Sequence, residues 1–286
     1  MYSRRTFLKI SAVLSALVAG GFLFKNSGNQ KVKHILSSAS HERLGISLSL
    51  SESTSKLELI LDQKSLIKGK KIDKEGKHWQ FISNKLLSDR SYQLQLLSED
   101  EPIYKTWKIK TFPDPEAETQ MVSIMSFTCP GGGDAFRASG REFFKPFSFR
   151  QNIFKEGLAK NPDFAISIGD HVYWDLRGES SPPVGRNSKL IKFFLGGYLR
   201  LRYGAFNRLE SADSEKNESV LKKIGNEQIA SLYGTRFKST PIFFIPDDHD
   251  YFENDDAEDE IVTFPAAKSS TGAFKKMAYM CYTHIL

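Results

Sequence analysis

The sequence predicts an all-β domain over residues 31–112, followed by an α/β domain over residues 113–286. In the first region apolar and polar residues alternate along short segments, and polar turns separate them about every eight to twelve residues. In the second region short apolar segments alternate with longer helical ones, which indicates a parallel sheet whose strands are joined by helices. A Pro- and acid-rich linker, residues 112–119, divides the two patterns.

Residues 1–30 precede both regions and have the form of a secretory signal. A basic start is followed by an apolar run, residues 10–24, which is shorter than the roughly 20 residues of a transmembrane helix. The stretch SRRTFLK resembles the twin-arginine export signal, with Arg4 and Arg5 as the pair. We therefore expect recognition by the twin-arginine export machinery and a periplasmic or secreted protein. The alternatives are a chance arginine pair in a general secretory signal and an uncleaved signal that anchors the protein in the membrane.

The charge of the chain argues against nucleic-acid binding. The 286 residues include 40 basic and 34 acidic side chains, a formal charge of +6. Residues 1–30 hold four basic side chains and no acidic one, so the remainder has 36 basic against 34 acidic residues. A nearly balanced charge lacks the excess of basic residues that attracts nucleic acid, and we expect no specific nucleic-acid recognition.

Five segments of the first region have the alternation of strands: residues 44–51, 56–62, 78–83, 91–98 and 104–112. Their spacing indicates a small β-sandwich of about seven strands. The stretch WQFISNKLLSDRSYQLQLL resembles a fibronectin type III domain, in which a Trp precedes an L-x-x-x-x-Y step. Here the step runs from Leu87 to Tyr92, and the resemblance implies that Tyr92 lies at a tyrosine corner. An unrelated β-sandwich is the alternative.

Seven segments of the second region have strand or helix patterns. The predicted strands are residues 121–127, 163–168 and 241–245, and the predicted helices cover about residues 152–160, 188–209, 219–235 and 266–282. Because the carboxyl ends of parallel strands meet at one edge of a sheet, we expect the loops that follow the three strands to lie together.

Each of these three loops carries side chains that bind metals. The first loop, TCPGGGDA, contains Cys129. The second loop, GDHVYWD, contains Asp170, His171, Tyr173 and Asp175. The third loop, PDDHD, contains Asp247, Asp248, His249 and Asp250. Thiolate, phenolate, carboxylate and imidazole together form a metal-ligand set. Nine acidic residues also fall within residues 247–260, where their mutual repulsion favours a bound cation. The Gly-rich loop lacks the Gly-Lys-Ser/Thr of a phosphate-binding loop.

The stretches SFTCP, SIGDHVYWD and PDDHDYFEND together resemble the PhoD-type alkaline phosphatases, a branch of the calcineurin-like metallophosphoesterases. An export signal and a small β domain before the catalytic domain also fit that family. The resemblance implies an α/β metallophosphoesterase domain, the first half of a β-sandwich flanked by helices. It implies an exported phosphatase or phosphodiesterase, which hydrolyses phosphate mono- or diesters with a metal-activated water.

The family implies an iron side of the site. Cys129 and Tyr173 stand where these enzymes bind Fe(III), and Asp170 stands where a carboxylate bridges the iron and a second metal, Ca²⁺. This set is chemically consistent, because a trivalent ion holds thiolate and phenolate as anions, whereas hard calcium prefers oxygen ligands. His171 is expected to be solvated or to support a neighbouring group rather than to bind metal.

The family also implies a calcium side and a proton donor. Asp248 would bind the second metal, and Asn254 and Asp255 would contribute to the calcium side. His249 would lie close to the leaving-group oxygen, and with Asp170 it forms the predicted catalytic pair. An ordinary surface histidine is the alternative for His249.

The resemblance stops before the family's late GD-x-H loop. After Asp259 the chain has one histidine, His284. We therefore expect the chain to be the front portion of such an enzyme and poorly active by itself. A non-catalytic exported calcium-binding module is the alternative from another functional class.

Overall fold

The computed structural model describes residues 31–118, 121–138, 141–172, 202–204 and 214–245. The predicted export signal, most of the predicted helix at 188–209 and the predicted helix at 266–282 lie outside these ranges. Within them, no helix has the length and apolar character needed to span a membrane.

The strands and helices of the described residues are named in chain order. Strands β1–β9 are Val32–Ala39, Leu44–Leu50, Leu57–Leu61, Ser65–Lys68, Lys70–Lys71, His78–Ser83, Ser91–Ser98, Glu101–Pro102 and Trp107–Lys110. Strands β10–β14 are Ile124–Thr128, Phe136–Ala138, Arg141–Phe143, Phe164–Ile168 and Ile242–Ile245. The helices are α1 (Phe147–Leu158), α2 (Glu215–Ile224), a π-helix (Gly225–Ser231) and a 3₁₀ helix (Arg236–Lys238).

Strands β1–β9 form two antiparallel sheets. One has the order β1-β2-β6-β5, and the other has the order β4-β3-β7-β8 with β9 also paired to β7. Apolar side chains of both sheets, among them Ile46, Trp79 and Leu94, pack into one buried core. The region is therefore a β-sandwich, as its alternating pattern predicts.

Tyr92 makes the backbone contact of a tyrosine corner. Its hydroxyl oxygen accepts a hydrogen bond from the amide of Leu87 at 2.7 Å. The guanidinium of Arg90 lies over the Tyr92 ring, 5.0 Å from its centroid. These contacts join the segment before β7 to the strand itself. The fibronectin type III identity of the sandwich stays a prediction.

The outer face of the first sheet is polar and buried, although alternation predicts an exposed polar face. The side chains of His34, Ser47, Ser49 and His78 on this face are buried. The second region covers it: Leu36 of β1 belongs to the hydrophobic core of that region. The division into two domains, residues 31–112 and 113–286, stays a prediction. The two regions share the contact surface around Leu36.

The edge of β1 is also covered. The amide of Ile35 donates to the carbonyl of Gly234 at 3.0 Å. The hydroxyl of Ser37 donates to the carbonyl of Lys238 at 2.8 Å. The segment that leads to β14 thus satisfies polar groups of the edge strand that would otherwise need another partner.

The second region contains a three-stranded parallel sheet in the order β10-β13-β14. On one face Phe127 of β10 packs against the aromatic rings of Phe154 and Tyr233. On the other face Ile124 and Ile245 are about half exposed, at 52% and 50%. The predicted parallel strands are confirmed, and β14 begins at Ile242, one residue later than predicted.

The other elements differ from prediction in their bounds. Helix α1 begins at Phe147 rather than near residue 152, directly after Pro146 at the cap position. Helix α2 begins at Glu215, where Ser214 caps it by accepting from the amide of Asn217. The hairpin of β11 and β12 was not predicted, because its strands are three residues each.

Candidate functional site

The loops that follow β10 and β13 lie against each other. The parallel register pairs Thr128 with Ile168, the last residues of the two strands. The amide of Cys129 then donates to the carbonyl of Ile168 at 3.4 Å, and the amide of Gly131 donates to the carbonyl of Asp170 at 2.8 Å. Two loops carrying predicted metal ligands therefore adjoin at one sheet edge. Their role as ligands stays a prediction.

Gly131 is required by this close approach. A Cβ atom at position 131 would clash with the backbone carbonyl groups of Asp170 and His171. Any larger residue would push the two loops apart, since backbone atoms cannot move aside as a flexible side chain can. The Gly-rich stretch is thus explained by contact between the loops.

Cys129 and Asp170 both have left-handed backbone conformations. Their φ angles are 49° and 53°. For a residue with a Cβ atom this conformation costs about 1–2 kcal/mol, and it is least expected for a cysteine. Eight other described non-glycine residues are also left-handed, most of them in turns of the sandwich, so the conformation alone does not mark a site. Its interest here is that two such residues lie on adjoining loops after parallel strands. Cys129 is exposed, and Asp170 is half-buried with its Oδ1 atom buried.

His171 connects the loop after β13 to the end of β14. Its Nε2 lies 3.1 Å from the carbonyl oxygen of Ile245, so Nε2 carries the proton because a carbonyl only accepts. In the neutral imidazole Nδ1 then accepts from the hydroxyl of Ser167 at 3.1 Å. The Ser167 oxygen lies 3.2 Å from the hydroxyl of Tyr233, which is placed to donate to it.

His171 is thus buried and not solvated. The expectation of a solvated side chain is wrong, and the alternative, support of a neighbouring group, agrees with these contacts. The signal in the sequence was Ser167 on the buried side of a strand, which needs a polar partner. The second partner of Ser167, Tyr233, was not predictable, because it lies 66 residues away in the sequence.

Most of the other predicted site residues lie outside the described part of the chain. They are Tyr173, Asp175, Asp247, Asp248, His249, Asp250, Asn254 and Asp255. Among the described residues, no group of three or more His, Cys, Asp or Glu side chains could hold a metal ion. The donors that are described, the thiol of Cys129 and the carboxylate of Asp170, fit the predicted set in chemical type: one soft and one hard anion on adjoining loops.

Arg150 was overlooked in the sequence. It lies in α1, is 9% exposed, and donates to carbonyl groups of the Gly-rich loop. An arginine in a helix with many polar residues suggests a surface position, which is why it was missed. A signal was present, because three successive glycines have backbone polar groups but no side chains with which to satisfy them.

The chain resembles solved phosphatase structures, although it matches no protein-family model and no curated protein. It aligns with the structure of PhoD at 12% sequence identity and a TM-score of 0.52, over 90% of this chain and 46% of that one. It also aligns with a purple acid phosphatase from yellow lupin (Lupinus luteus) seeds at 12% identity and a TM-score of 0.41, over 76% of this chain and 35% of that one.

The alignment with PhoD carries the conclusion about the fold. This chain spans about half the length of the PhoD structure. At 12% identity the likeness concerns the fold alone, and the lupin alignment is too weak to add to it. The parallel sheet, the sandwich before it and the adjoining loops agree with the resemblance noted in the sequence. The chain therefore has a PhoD-type phosphatase fold.

Proposed function

We propose that the protein is an exported metal-dependent phosphoric ester hydrolase of the PhoD type. One observation carries the proposal: Cys129 and Asp170, each in a left-handed conformation, follow adjacent parallel strands whose loops are joined by the Gly131–Asp170 hydrogen bond of 2.8 Å. The carboxyl edge of a parallel sheet is where such folds place their ligands. The PhoD-type fold supports the same function.

The proposed metals are Fe(III) and Ca²⁺. Bound cations would neutralise the anionic ester and lower the pKa of a bound water toward about 7. Cys129 and Tyr173 would hold the iron, and the carboxylate of Asp170 would bridge the two ions. Asp248, Asn254 and Asp255 would hold the calcium.

The remaining roles belong to the chain's own side chains. His249 would donate a proton to the departing oxygen. His171 would keep the loop of Asp170 in place, because its Nε2–H bond to Ile245 ties that loop to the end of β14. The acidic stretch from Asp247 to Glu260 would in part face the cations, which offset its repulsion.

Metal binding tests the ligand assignment. Iron bound per chain is measured after dialysis, with Cys129→Ser and Asp170→Asn as test variants. Cys281→Ser and Asp89→Asn are the matched controls, since Asp89 is exposed and pairs with Lys110 in the sandwich. We expect each test variant to lower iron affinity at least tenfold and the controls to leave it unchanged. Equal iron binding by all five proteins would contradict the proposal.

Hydrolysis tests the activity. p-Nitrophenyl phosphate and its bis-ester are assayed with iron and calcium present, and again after a chelator has removed both metals. We expect low, metal-dependent turnover, which Asp170→Asn abolishes. Calcium binding that is independent of Cys129, with no metal-dependent hydrolysis, would favour the non-catalytic calcium-binding module instead.

A further inference from the structure

We propose that Arg150, together with Gln228 and Glu227, positions the loop that carries Cys129. These three side chains hold residues 130–134, here called the glycine loop, by hydrogen bonds to its backbone. They are positioning residues, and the inference rests on the proposed function, in which Cys129 binds a metal.

Arg150 holds the carbonyl groups of the glycine loop. Its Nη1 donates to the carbonyl oxygens of Pro130 and Gly131, each at 2.7 Å, and lies 3.3 Å from that of Gly132. Its Nη2 donates to the carbonyl of Gly133 at 2.5 Å. Its Nε donates to the carbonyl of Lys145 at 3.0 Å. One guanidinium thus contacts four successive carbonyl groups of the loop, which the three donors of a lysine ammonium could not reproduce.

The π-helix holds the amide groups of the same loop. The side-chain oxygen of Gln228 accepts from the amide of Gly132 at 3.1 Å. The carboxylate of Glu227 accepts from the amide of Asp134 at 3.3 Å. Two successive residues of the π-helix therefore face the glycine loop. Local π-helical segments often occur at functional sites.

Glu227 is itself fixed from the opposite side. Arg202 forms an ion pair with both carboxylate oxygens, and its Nε donates to Oε2 at 2.7 Å. Tyr203 lies beside the same carboxylate; burial and then the charge of Glu227 raise the pKa of its hydroxyl well above the usual value. A Cβ atom at Gly133 would lie 2.9 Å from Oε1 of Glu227 and 3.2 Å from the Tyr203 hydroxyl. The glycine loop therefore fits tightly against these side chains.

These contacts satisfy most backbone polar groups of the glycine loop. The carbonyl groups of residues 130–133 contact Arg150, and the amides of residues 131, 132 and 134 bond to Asp170, Gln228 and Glu227. Three glycines have a large conformational entropy, and without these bonds the loop would not keep one conformation. Cys129 directly precedes the loop, so the same bonds hold the backbone from which its thiol projects.

The experiment uses the full chain with Cys281→Ser, in which Cys129 is the remaining cysteine. Co²⁺ is titrated as the probe, and its binding through sulfur is followed by the near-ultraviolet thiolate-to-cobalt band. Arg150→Lys and Arg150→Ala are the test variants, and Arg90→Lys in the sandwich is the matched control. Guanidinium at millimolar concentration is then added to Arg150→Ala, with methylammonium as the mismatched cation.

We expect Arg150→Lys to weaken Co²⁺ binding about tenfold, the lower range for residues that orient metal ligands, and Arg90→Lys to leave it unchanged. Guanidinium, but not methylammonium, should restore binding and the intensity of the band in Arg150→Ala. Hydrogen exchange should become faster at the amides of Gly132 and Asp134 and stay unchanged in β2.

The outcomes separate the two proposals. If Cys129→Ser gives the same cobalt spectrum as the parent, the proposed metal site fails and Arg150 has nothing to position. If the parent binds through Cys129 but Arg150→Lys binds equally well, the positioning role is wrong. Weakened binding that guanidinium does not restore, with a matching loss of global stability, would assign Arg150 to folding alone and would also overturn the inference.

Discussion

Cys129 combines an exposed thiol with a backbone conformation that favours glycine. If its role is chemical, the residue is retained at a cost in stability. We therefore expect Cys129→Gly to be more stable than Cys129→Ala by about 1 kcal/mol, because alanine keeps the steric clash of a left-handed residue. Urea unfolding of both variants measures the difference in free energy.

Thr128 provides the control for this comparison. It is the last residue of β10 and has the extended conformation of a strand. There the order should reverse, with Thr128→Ala more stable than Thr128→Gly, because glycine loses more conformational entropy. If alanine were more stable than glycine at both positions, the φ angle of Cys129 would not be a source of strain.

His34 gives the protein a dependence of stability on pH. Burial, and then the charges of His78 and Lys33, lower the pKa of its imidazole to about 3 from 6.5. The unfolded chain therefore binds a proton below pH 6.5 while the folded protein does not, and stability falls between pH 6.5 and about 3. We expect a loss of about 2 kcal/mol between pH 7.5 and 5.

Urea midpoints at the two pH values measure this loss in the parent and in His34→Gln, which should show a flatter dependence. His41→Gln is the control, and it should keep the parental slope. Asp73 does not interfere in this range: burial raises its pKa, but hydrogen bonds from His78 lower it by more, so its pKa in the folded protein lies below the usual value of 3.8. Identical slopes for all three proteins would refute the assignment to His34.

At the scale of elements, the first sheet of the sandwich and α2 are joined by a cluster of charges. The ammonium of Lys222 lies 3.1 Å from Glu75, 3.5 Å from Glu218 and 3.6 Å from Asp73. Asp73 and Glu218 are buried, so removal of the lysine leaves carboxylates with less compensation.

We expect Lys222→Met to lower the free energy of unfolding by about 2 kcal/mol, less than the 3–5 kcal/mol of a fully buried pair because Glu75 is exposed. Lys223→Met, at the neighbouring exposed position, should have little effect. Fluorescence of Trp79 and Trp107 in the sandwich core follows the unfolding. A sandwich whose stability is unaffected by Lys222→Met would show that the two regions are energetically independent.

The parallel strands were predictable because each apolar run in this region is closely followed by Gly or Pro, and the start of β14 was predicted to within one residue. The start of α1 was not, since Phe147–Gln151 lacks a clear helical pattern beside Pro146. The glycine loop could be predicted as a loop, but its partners could not. Gln228 lies 96 residues from Gly132, and nothing local in either stretch indicates the other.

At the scale of the whole molecule, export through the twin-arginine machinery is the prediction that concerns residues 1–30. The guanidinium groups of Arg4 and Arg5 are planar and present several N–H donors in fixed directions, which the ammonium group of lysine does not reproduce. We expect the double substitution to lysine to retain the precursor in the cytoplasm, as measured by cell fractionation and immunoblotting. Lys9→Arg is the control. Normal periplasmic delivery of the double variant would eliminate this route.

The hydrogen bonds at the edge of β1 also have a consequence for the order of folding. Ser37 and its partner Lys238 are 201 residues apart. The chain leaves the ribosome from its N-terminus, so β1 is synthesised early but lacks this edge partner until almost the whole described chain has emerged. Contacts of such high contact order form slowly, because a long loop must close before they stabilise anything. The sandwich therefore cannot complete its outer edge during early translation, because the partner of Ser37 has not yet been synthesised.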